Sequence, residues 1–329
     1  MFDCNLRCGD LSFVNGLAMP PNILRKLLCF AEAAKRVSAA AKARKIPFFS
    51  LFLSDARSVF GNRQDHDKYD IFVRLQDVRE LAPYLTHTVL FPAICRSQAL
   101  LEDIRFPVVI KPVCGLQSIG VVVVQDQNAL VAFLQKRHGS YIAQPFIQEG
   151  VEIGVSFTRN PAGAPDFFGL ARKKAVHSSM WGNGVRSVAK SFFYQDVSDV
   201  VDRTFFVELC RRVAEALQTN SLRIDAFVRT EGTSLRHNTL QIIEVNTGPF
   251  AVDEFLLDPK HSREFVVEQL TKKYTFLLQW GAHDAPRPDS STVRKWLAHF
   301  IYCYFVALFG HVSEMTLVRR LDVLKRRPW

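Results

Sequence analysis

Two apolar segments late in the chain carry acidic and amide side chains in positions that suit metal binding. In QIIEVNTGP, Glu244 and Asn246 are two positions apart, so their side chains project from one face if the segment is a strand. Asp225 lies in SLRIDAFVR, where Arg223 shares its face. If the two segments pair, three oxygen ligands converge on an apolar surface, which suits a hard cation such as Mg²⁺ held with substrate phosphates. The alternative is a solvated sheet face on which Arg223 pairs with Glu244.

A lysine and a glycine-containing loop lie between two β-branched runs in FPVVIKPVCGLQSIGVVVV. Glycine lets backbone N–H groups turn toward a phosphate, and Ser118 adds a hydroxyl donor. Lys111, at the end of the first run, can contact the same anion as a point charge. This pattern predicts a phosphate-binding loop, and the alternative is a plain surface hairpin.

The segment YIAQPFIQEGVEIGVSF contains groups that suit a nucleoside. An adenine needs a backbone donor and acceptor from an unpaired strand edge, and a ribose needs a carboxylate for its hydroxyls. The edge from Gln144 to Ile147 and the acid Glu152 can supply both.

These segments, taken in order with their spacing, resemble the ATP-grasp superfamily and within it the D-alanine-D-alanine-ligase-like carboxylate-amine ligases. The resemblance covers about residues 91–250. It implies that Lys111 contacts the α- and β-phosphates of ATP. It also implies that Gly115, Ser118 and Gly120 belong to a mobile glycine-rich flap.

The resemblance extends to the rest of the nucleotide site. Gln144, Phe146 and Ile147 match the hinge that reads adenine through its backbone, although a glutamate is common where Gln144 stands. Glu152 matches the acid that binds ribose. The family also has a lysine some 40 to 50 residues before the one that Lys111 matches. Here only Lys68 or Arg79 can take that place.

The same resemblance implies the metal ligands, the reaction and the cofactors. Asp225, Glu244 and Asn246 match the magnesium ligands, and Arg223 matches the arginine that stabilises the acyl phosphate or the tetrahedral species. Such enzymes use ATP to phosphorylate a carboxylate, and an amine then attacks the acyl phosphate. The implied cofactors are ATP and Mg²⁺, with Mn²⁺ as the alternative metal.

A lid over the reacting groups is expected in ARKKAVHSSMWGNGVRSVAK, residues 171–190. Within it, Lys173 or Lys174 can reach the γ-phosphate, and Arg186 or His177 can orient the acceptor. We take Lys174, Arg186 and Arg223 as the catalytic candidates. The alternative is a plain basic hairpin.

The surrounding pattern predicts an α+β (mixed α/β) fold. Apolar spacing and alanine-rich composition predict a helix over 22–45, while DIFVRL, residues 70–75, predicts a strand. Helices are also predicted over 126–138, with Asp126 as the N-cap, and over 196–218.

SLRIDAFVR and LQIIEVNT are predicted as a strand pair joined by the polar loop TEGTSLRHNT. The expected domains are a short N-terminal domain (1–90), an ATP-grasp domain (91–258) and a helical, basic C-terminal extension (259–329).

Composition limits the partners. The 329 residues include 42 Lys+Arg against 32 Asp+Glu, a formal net charge of +10 that favours polyanionic ligands. Seven cysteines without CxxC spacing indicate neither a disulfide framework nor a zinc site, so we expect a cytoplasmic protein. The expected partners are small-molecule carboxylate and amine substrates, and no nucleic acid.

The C-terminal segment 296–313 is apolar, without charged residues, and has basic flanks. This pattern favours peripheral contact with an anionic membrane surface. The alternatives are packing on the ATP-grasp domain or on the partner of a homodimer.

Three functions fit these observations. The first is an ATP-dependent ligase that joins a carboxylate to an amine. The alternatives are an ATP-grasp phosphotransferase and a non-catalytic, membrane-associated nucleotide-binding module.

Overall fold

The fold was analysed in a computed structural model of the chain. The structure describes residues 21–43, 68–92, 104–113, 120–136, 139–175, 192–231, 234–247 and 253–284. The predicted flap glycine and serine at 115 and 118, most of the lid, and the segments 97–103 and 286–329 lie outside these residues.

Helices and strands alternate irregularly along the chain. The helices are α1 (Pro21–Ala43), α2 (Lys68–Gln76), α3 (Gln127–Gln135), α4 (Arg203–Ala216) and α5 (Arg263–Asp284), with short 3₁₀ helices at Ala82–Tyr84 and Glu254–Leu257. The strands are β1 (Val89–Phe91), β2 (Val108–Pro112), β3 (Val122–Val124), β4 (Tyr141–Pro145), β5 (Val151–Thr158), β6 (Phe167–Ala175), β7 (Phe192–Asp196), β8 (Ser221–Glu231) and β9 (Ser234–Thr247).

The smaller sheet has the order β1-β4-β2-β3, and all its strand pairs are antiparallel. Val108, Ile110 and Ala143 pack on α3 from one face. Because side chains alternate along a strand, Lys111 and Gln144 belong to the opposite face.

The larger sheet has the order β7-β6-β5-β8-β9 and is also antiparallel. One face carries Ile153, Val155 and Ile224 and packs against α2 and α4. The other face therefore carries the polar residues of β5 and β8. Around β6 and β7 this second face is covered by α1, α5 and the 3₁₀ helix Glu254–Leu257.

The two sheets meet at β9. Leu85 forms a parallel bridge with Ile242, and the Thr86 N–H donates to the Ile242 carbonyl at 3.2 Å. From the small sheet, Lys111 Nζ donates to the Ile243 carbonyl at 3.3 Å. The polar faces of both sheets therefore approach each other at β9.

Several predicted elements are confirmed. The first helix spans Pro21–Ala43, close to the predicted 22–45. Asp126 caps α3 as predicted, since its carboxylate accepts a hydrogen bond of 2.8 Å from the Ala129 N–H. No helix in the described part of the chain is long and apolar enough to cross a membrane.

Three predictions of secondary structure are wrong. DIFVRL lies in α2 rather than in a strand, because Ile71, Phe72 and Leu75 are buried at helical spacing. The helix predicted over 196–218 begins later, at Arg203. Asp196 instead ends β7, and Asp202 caps α4, where its carboxylate accepts from the Phe205 N–H.

The third error concerns TEGTSLRHNT, which is not a loop throughout. The ladder between β8 and β9 continues through most of it, with pairs such as Arg229 with Arg236 and Thr230 with Leu235. Register shifts along this ladder show that bulges accommodate the polar sequence.

Candidate functional site

Strands β8 and β9 bring the predicted metal ligands together. In the ladder Asp225 lies opposite Glu244, and Arg223 lies opposite Asn246. The Asp225 Oδ2 accepts hydrogen bonds from Arg223 Nη2 at 2.6 Å and from Asn246 Nδ2 at 3.2 Å. The expected convergence of these side chains is therefore observed, and Arg223 pairs with Asp225 in the same strand.

Lys173 lies at the centre of a cluster of carboxylates. Its Nζ is 2.7 Å from Asp225 Oδ1, 2.8 Å from Glu152 Oε1 and 3.3 Å from Glu254 Oε2. Only 2% of the Lys173 side chain is exposed. A buried ammonium needs such partners, because transfer of an unpaired charge from water is costly.

Burial and neighbouring charges act in opposite directions on this cluster. Burial alone would raise the pKa of the Asp225 carboxyl, but Arg223 and Lys173 outweigh burial and lower that pKa to about 2. Burial acts to lower the pKa of Lys173, yet the three carboxylates hold that pKa well above its ordinary value. Both groups are therefore charged at neutral pH.

Two further lysines, Lys68 and Lys111, lie near Glu244. The Glu244 Oε1 accepts from Lys68 Nζ at 2.9 Å. The Lys68 backbone N–H donates to the Val113 carbonyl at 3.2 Å, which places the start of α2 beside the end of β2 and beside Lys111. Of the two candidates for the earlier lysine, Lys68 is thus the one in the site, while Arg79 is exposed on the turn after α2.

The charges of Lys68, Lys111 and Glu244 also affect one another's pKa values. Burial lowers the pKa of the Lys111 ammonium, and attraction to Glu244 offsets this only in part. Burial acts to raise the pKa of Glu244, but Lys68 and Lys111 outweigh it, so that pKa is lowered. A buried lysine with a destabilised charge is well suited to an incoming anion.

Gln144 is held by a short chain of hydrogen bonds. Thr88 Oγ1 donates to the Thr86 carbonyl at 2.9 Å, so Thr88 Oγ1 acts as the acceptor for Gln144 Nε2 at 3.0 Å. This order fixes which end of the amide is the donor. Gln144 Oε1 is buried and has no hydrogen-bond partner in the described part of the chain.

The predicted adenine hinge, residues 144–147, begins at the end of β4 and continues beyond it. Strand β1 pairs with β4 up to Ala143, whereas β2 continues to Pro145, so one backbone edge is unpaired by strands from Gln144 onward. The Phe146 N–H donates to the Pro107 carbonyl at 3.0 Å. Ile147 is half-buried in the connection to β5.

The remaining predicted residues have different positions. Gly120 precedes β3 and has a φ of +78°, a left-handed conformation that favours glycine. Lys174 lies in β6, where it pairs with Phe193. Gly115, Ser118, Arg186 and His177 lie outside the described residues.

Glu254 is a site residue that the sequence reasoning missed. It begins the 3₁₀ helix Glu254–Leu257 and is 1% exposed, and its Oε1 is 3.7 Å from Arg223 Nη1. Burial raises its pKa despite the opposing effect of Lys173 and Arg223. The available signal was an adjacent acid pair within the apolar run AVDEFLL, since charged residues are rarely buried there without partners.

The oxygen donors fit a hard cation. Asp225 and Glu244 supply carboxylates on adjacent strands, and Asn246 adds an amide oxygen, a donor set typical of Mg²⁺ or Mn²⁺ sites that also include phosphates. The described residues hold no cluster of three or more His, Cys, Asp and Glu side chains arranged for a metal. Two carboxylates and an amide leave further coordination positions of such a cation to other ligands, such as phosphates.

Comparison with known proteins identifies the nucleotide-binding part. Residues 85–155 match the family model of the RimK-like ATP-grasp domain. This part of the chain is similar to an ATP-grasp domain. The match includes Lys111, Gln144 and Glu152, and it confirms the predicted α+β fold of ATP-grasp type. No curated protein sequence matches the chain at a significant level.

Three ligases are among the solved structures that are similar to this chain. VanG D-Ala:D-Ser ligase from Enterococcus faecalis has 16% identity and a TM-score of 0.44, over 64% of this chain and 61% of that one. D-alanine-D-alanine ligase from Bacillus anthracis complexed with ATP has 16% identity and a TM-score of 0.44, over 65% of this chain and 68% of that one. L-amino acid ligase from Bacillus licheniformis has 19% identity and a TM-score of 0.43, over 72% of this chain and 52% of that one. The chain thus spans about three fifths of the VanG ligase.

Proposed function

We propose that this protein is an ATP-dependent ligase that activates a carboxylate as an acyl phosphate and joins it to an amine. The observation that carries the proposal is the cluster around Asp225 and Glu244, in which acids and cations from both sheets border the region of the matched ATP-grasp segment. Phosphoryl transfer depends mainly on positioning and charge stabilisation, and this cluster supplies groups for both.

The nucleotide would lie along the matched segment. The backbone from Gln144 to Ile147 would bind adenine, and Glu152 would accept hydrogen bonds from the ribose hydroxyls. Lys111 would contact the phosphates, with Lys68 beside it. Lys173, or its neighbour Lys174, would bind the γ-phosphate. Residue type and location support each role, and the family match adds support for Lys111, Gln144 to Ile147 and Glu152.

The proposed metal ligands are Asp225, Glu244 and Asn246. Mg²⁺ held by these residues would neutralise negative charge on the phosphates. Lys173 and Lys68, which pair with Asp225 and Glu244 here, would then shift their contacts toward the phosphates.

The two chemical steps require charge stabilisation and exclusion of water. In the first step, a substrate carboxylate oxygen attacks the γ-phosphorus, and ADP leaves. In the second, the amine attacks the acyl carbon, a C–N bond forms, the C–O bond to phosphate breaks, and the amine loses a proton. Arg223 would stabilise the negative charge of the acyl phosphate and of the tetrahedral species. The predicted lid would exclude water, and Arg186 within it would orient the acceptor.

The experiment is a screen of paired carboxylates and amines for release of ADP and inorganic phosphate. A ligase releases both only when the two substrates are present, and Glu244→Gln should abolish the release. ADP with a stable phosphorylated product and no inorganic phosphate would indicate a phosphotransferase instead. ATP binding without turnover, and identical metabolite profiles from cells expressing wild type or Glu244→Gln, would indicate a non-catalytic module.

Contact with a membrane or with a second copy is a separate proposal about segment 296–313. It is supported by the apolar sequence and its basic flanks alone. Flotation with anionic vesicles, compared with neutral vesicles, tests the membrane contact. Light scattering of the protein tests the homodimer.

A further inference from the structure

Glu254 reaches the site from outside the large sheet. It comes after β9, at the start of the 3₁₀ helix Glu254–Leu257, and its carboxylate lies between Lys173 and Arg223. The other two acids on Lys173, Glu152 and Asp225, belong to strands β5 and β8. Glu254 is thus the one acid of this cluster that a separate segment supplies.

A glycine makes room for this carboxylate. A Cβ added at Gly154 in β5 would be 1.9 Å from Glu254 Oε2, so a larger residue would displace the acid. Gly169 in β6 has the same relation to the next residue, because a Cβ there would be 2.2 Å from the Phe255 ring. The segment carrying Glu254 therefore packs against the sheet at two positions where side chains are absent.

The three acids on Lys173 differ in what the proposed function requires of them. Glu152 is proposed to bind ribose, and Asp225 is proposed to bind the metal. Both would weaken their contacts with Lys173 when the nucleotide binds. Glu254 is 1% exposed and has no such role, so it can pair with Lys173 before and after binding.

The geometry of Glu254 leaves it bonding capacity. Its Oε2 is within ion-pair distance of Lys173 Nζ at 3.3 Å, but it makes no hydrogen bond in the described part of the chain. The Asp225 and Glu152 contacts with the same ammonium are shorter, at 2.7 and 2.8 Å. When those two contacts weaken, Glu254 can form the hydrogen bond that it now lacks.

We propose that Glu254 is a positioning residue: a constant counter-ion that holds Lys173 and Arg223 in place while Asp225 and Glu152 transfer to the metal and the ribose. This inference rests on the proposed function. Without Glu254, Lys173 would be retained by Asp225 and Glu152, and it would compete with the metal for Asp225. The cost should therefore appear in metal affinity as well as in turnover.

The test is calorimetric titration of MgCl₂ into protein saturated with the non-hydrolysable analogue AMP-PNP. For Glu254→Gln we expect Mg²⁺ affinity to fall about tenfold, since hydrogen bonds to charged groups have effects of that order. Glu254→Asp keeps the charge and should recover part of the loss. Gly154→Ala leaves both charges in place but displaces Oε2, and it should weaken Mg²⁺ binding similarly.

Asp253→Asn is the matched control. Asp253 is adjacent to Glu254 and similarly buried, but it pairs with Lys273 of α5 at 2.9 Å. We expect Asp253→Asn to lower the thermal unfolding midpoint and to leave Mg²⁺ affinity unchanged. Equal losses in Asp253→Asn and Glu254→Gln would overturn the inference, because the effect would then come from the stability of the segment.

Other outcomes also decide the question. Equal Mg²⁺ affinity in wild type and Glu254→Gln overturns the inference. If Glu254→Gln does not fold, unchanged affinity in Gly154→Ala overturns it. If wild type binds neither AMP-PNP nor Mg²⁺ with AMP-PNP, the proposed function itself fails, and this result differs from every outcome above.

Discussion

Asp225 and Glu244 lie opposite each other in the β8-β9 ladder, yet they pair with different lysines. Asp225 accepts from Lys173 of β6 at 2.7 Å, whereas Glu244 accepts from Lys68 of α2 at 2.9 Å. The two acids thus connect this ladder to two separate elements. Binding of a metal at the pair would change the contacts of both lysines.

The position of Lys68 predicts that it completes the nucleotide site. Lys68→Met should weaken ATP binding about tenfold, because it removes a cation next to Lys111 and Glu244. The measurement is the dissociation constant for AMP-PNP with Mg²⁺. Arg79→Met, an exposed cation on the following turn, is the control and should bind like wild type. A greater loss in Arg79→Met would contradict this assignment.

Lys111 is predicted to reduce stability in exchange for function. Its pKa is lowered by burial, so its charged form is disfavoured in the folded protein. Lys111→Met should raise the thermal unfolding midpoint at pH 7 and abolish turnover.

The pH dependence checks this cause. With a depressed folded pKa, the unfolded chain binds more protons between the folded pKa and the ordinary lysine pKa of 10.5. Wild-type stability should therefore rise relative to Lys111→Met as pH increases through that window. A midpoint difference that does not change up to pH 10.5 would mean that packing, and not the charge, explains the gain.

The fixed amide of Gln144 predicts selection of adenine over guanine. Its Oε1 is a buried acceptor, which suits the adenine amino group and repels the guanine carbonyl oxygen. Gln144→Met should reduce the ratio of ATP to GTP affinity about tenfold. Thr88→Val should also reduce it, because the amide can then reverse its two ends.

Thr86→Val provides a control for the effect on base selection. The Thr86 carbonyl, which accepts from Thr88, is retained in this variant. The Thr86 Oγ1 has no hydrogen-bond partner in the described residues. Competition titrations of ATP against GTP should give the wild-type ratio for Thr86→Val. An equal change in Thr86→Val and Thr88→Val would refute the role of the hydrogen-bond chain.

Asp225 should contribute to stability in acid. Its pKa is lowered from 3.8 to about 2, so its contribution is complete above about pH 4 and is lost as pH falls toward 2. The contribution is on the order of 2 kcal/mol, from about 1.4 kcal/mol per pKa unit. Urea unfolding at pH 4.5, 3 and 2 measures it.

The comparison variant for this measurement is Asp225→Asn, which should lose much of the stability change between pH 4.5 and 2. Asp126→Asn serves as the control, because Asn caps a helix about as well as Asp and this position is exposed. If Asp225→Asn keeps the wild-type slope, other carboxyl groups cause the acid sensitivity.

The sequence predicted the paired strands of the site better than the helices that cover them. Strands β8 and β9 were identified because polar residues such as Arg223, Asp225, Glu244 and Asn246 are spaced two apart within apolar segments. The run DIFVRL was assigned wrongly because a short apolar run fits a strand or a buried helix equally well. Asp196 and Asp202 both suit a helix cap, and only packing showed which one takes that role.

Site residues were predictable where their spacing along one strand showed that they share a face of the sheet. Asp225, Glu244 and Asn246 are in this group. The sequence did not show whether Lys173 or Lys174 is on the site's face of β6, because the predicted lid follows without a clear boundary. The position of Glu254 in the site depends on its close approach to Gly154, about 100 residues earlier in the sequence. No local sequence pattern encodes such a contact.

The adjacent acids Asp253 and Glu254 bind in different directions, one to Lys273 in α5 and the other to Lys173 in the sheet. Helix α5 in turn packs on α1, where Arg36 binds Glu264. The placement of Glu254 therefore depends on α1 and α5, which lie at the two ends of the described part of the chain. A fragment trimmed to the predicted domain, residues 91–258, would lack both helices, expose the apolar surface around Phe167 and Phe255, and release Glu254 from its place.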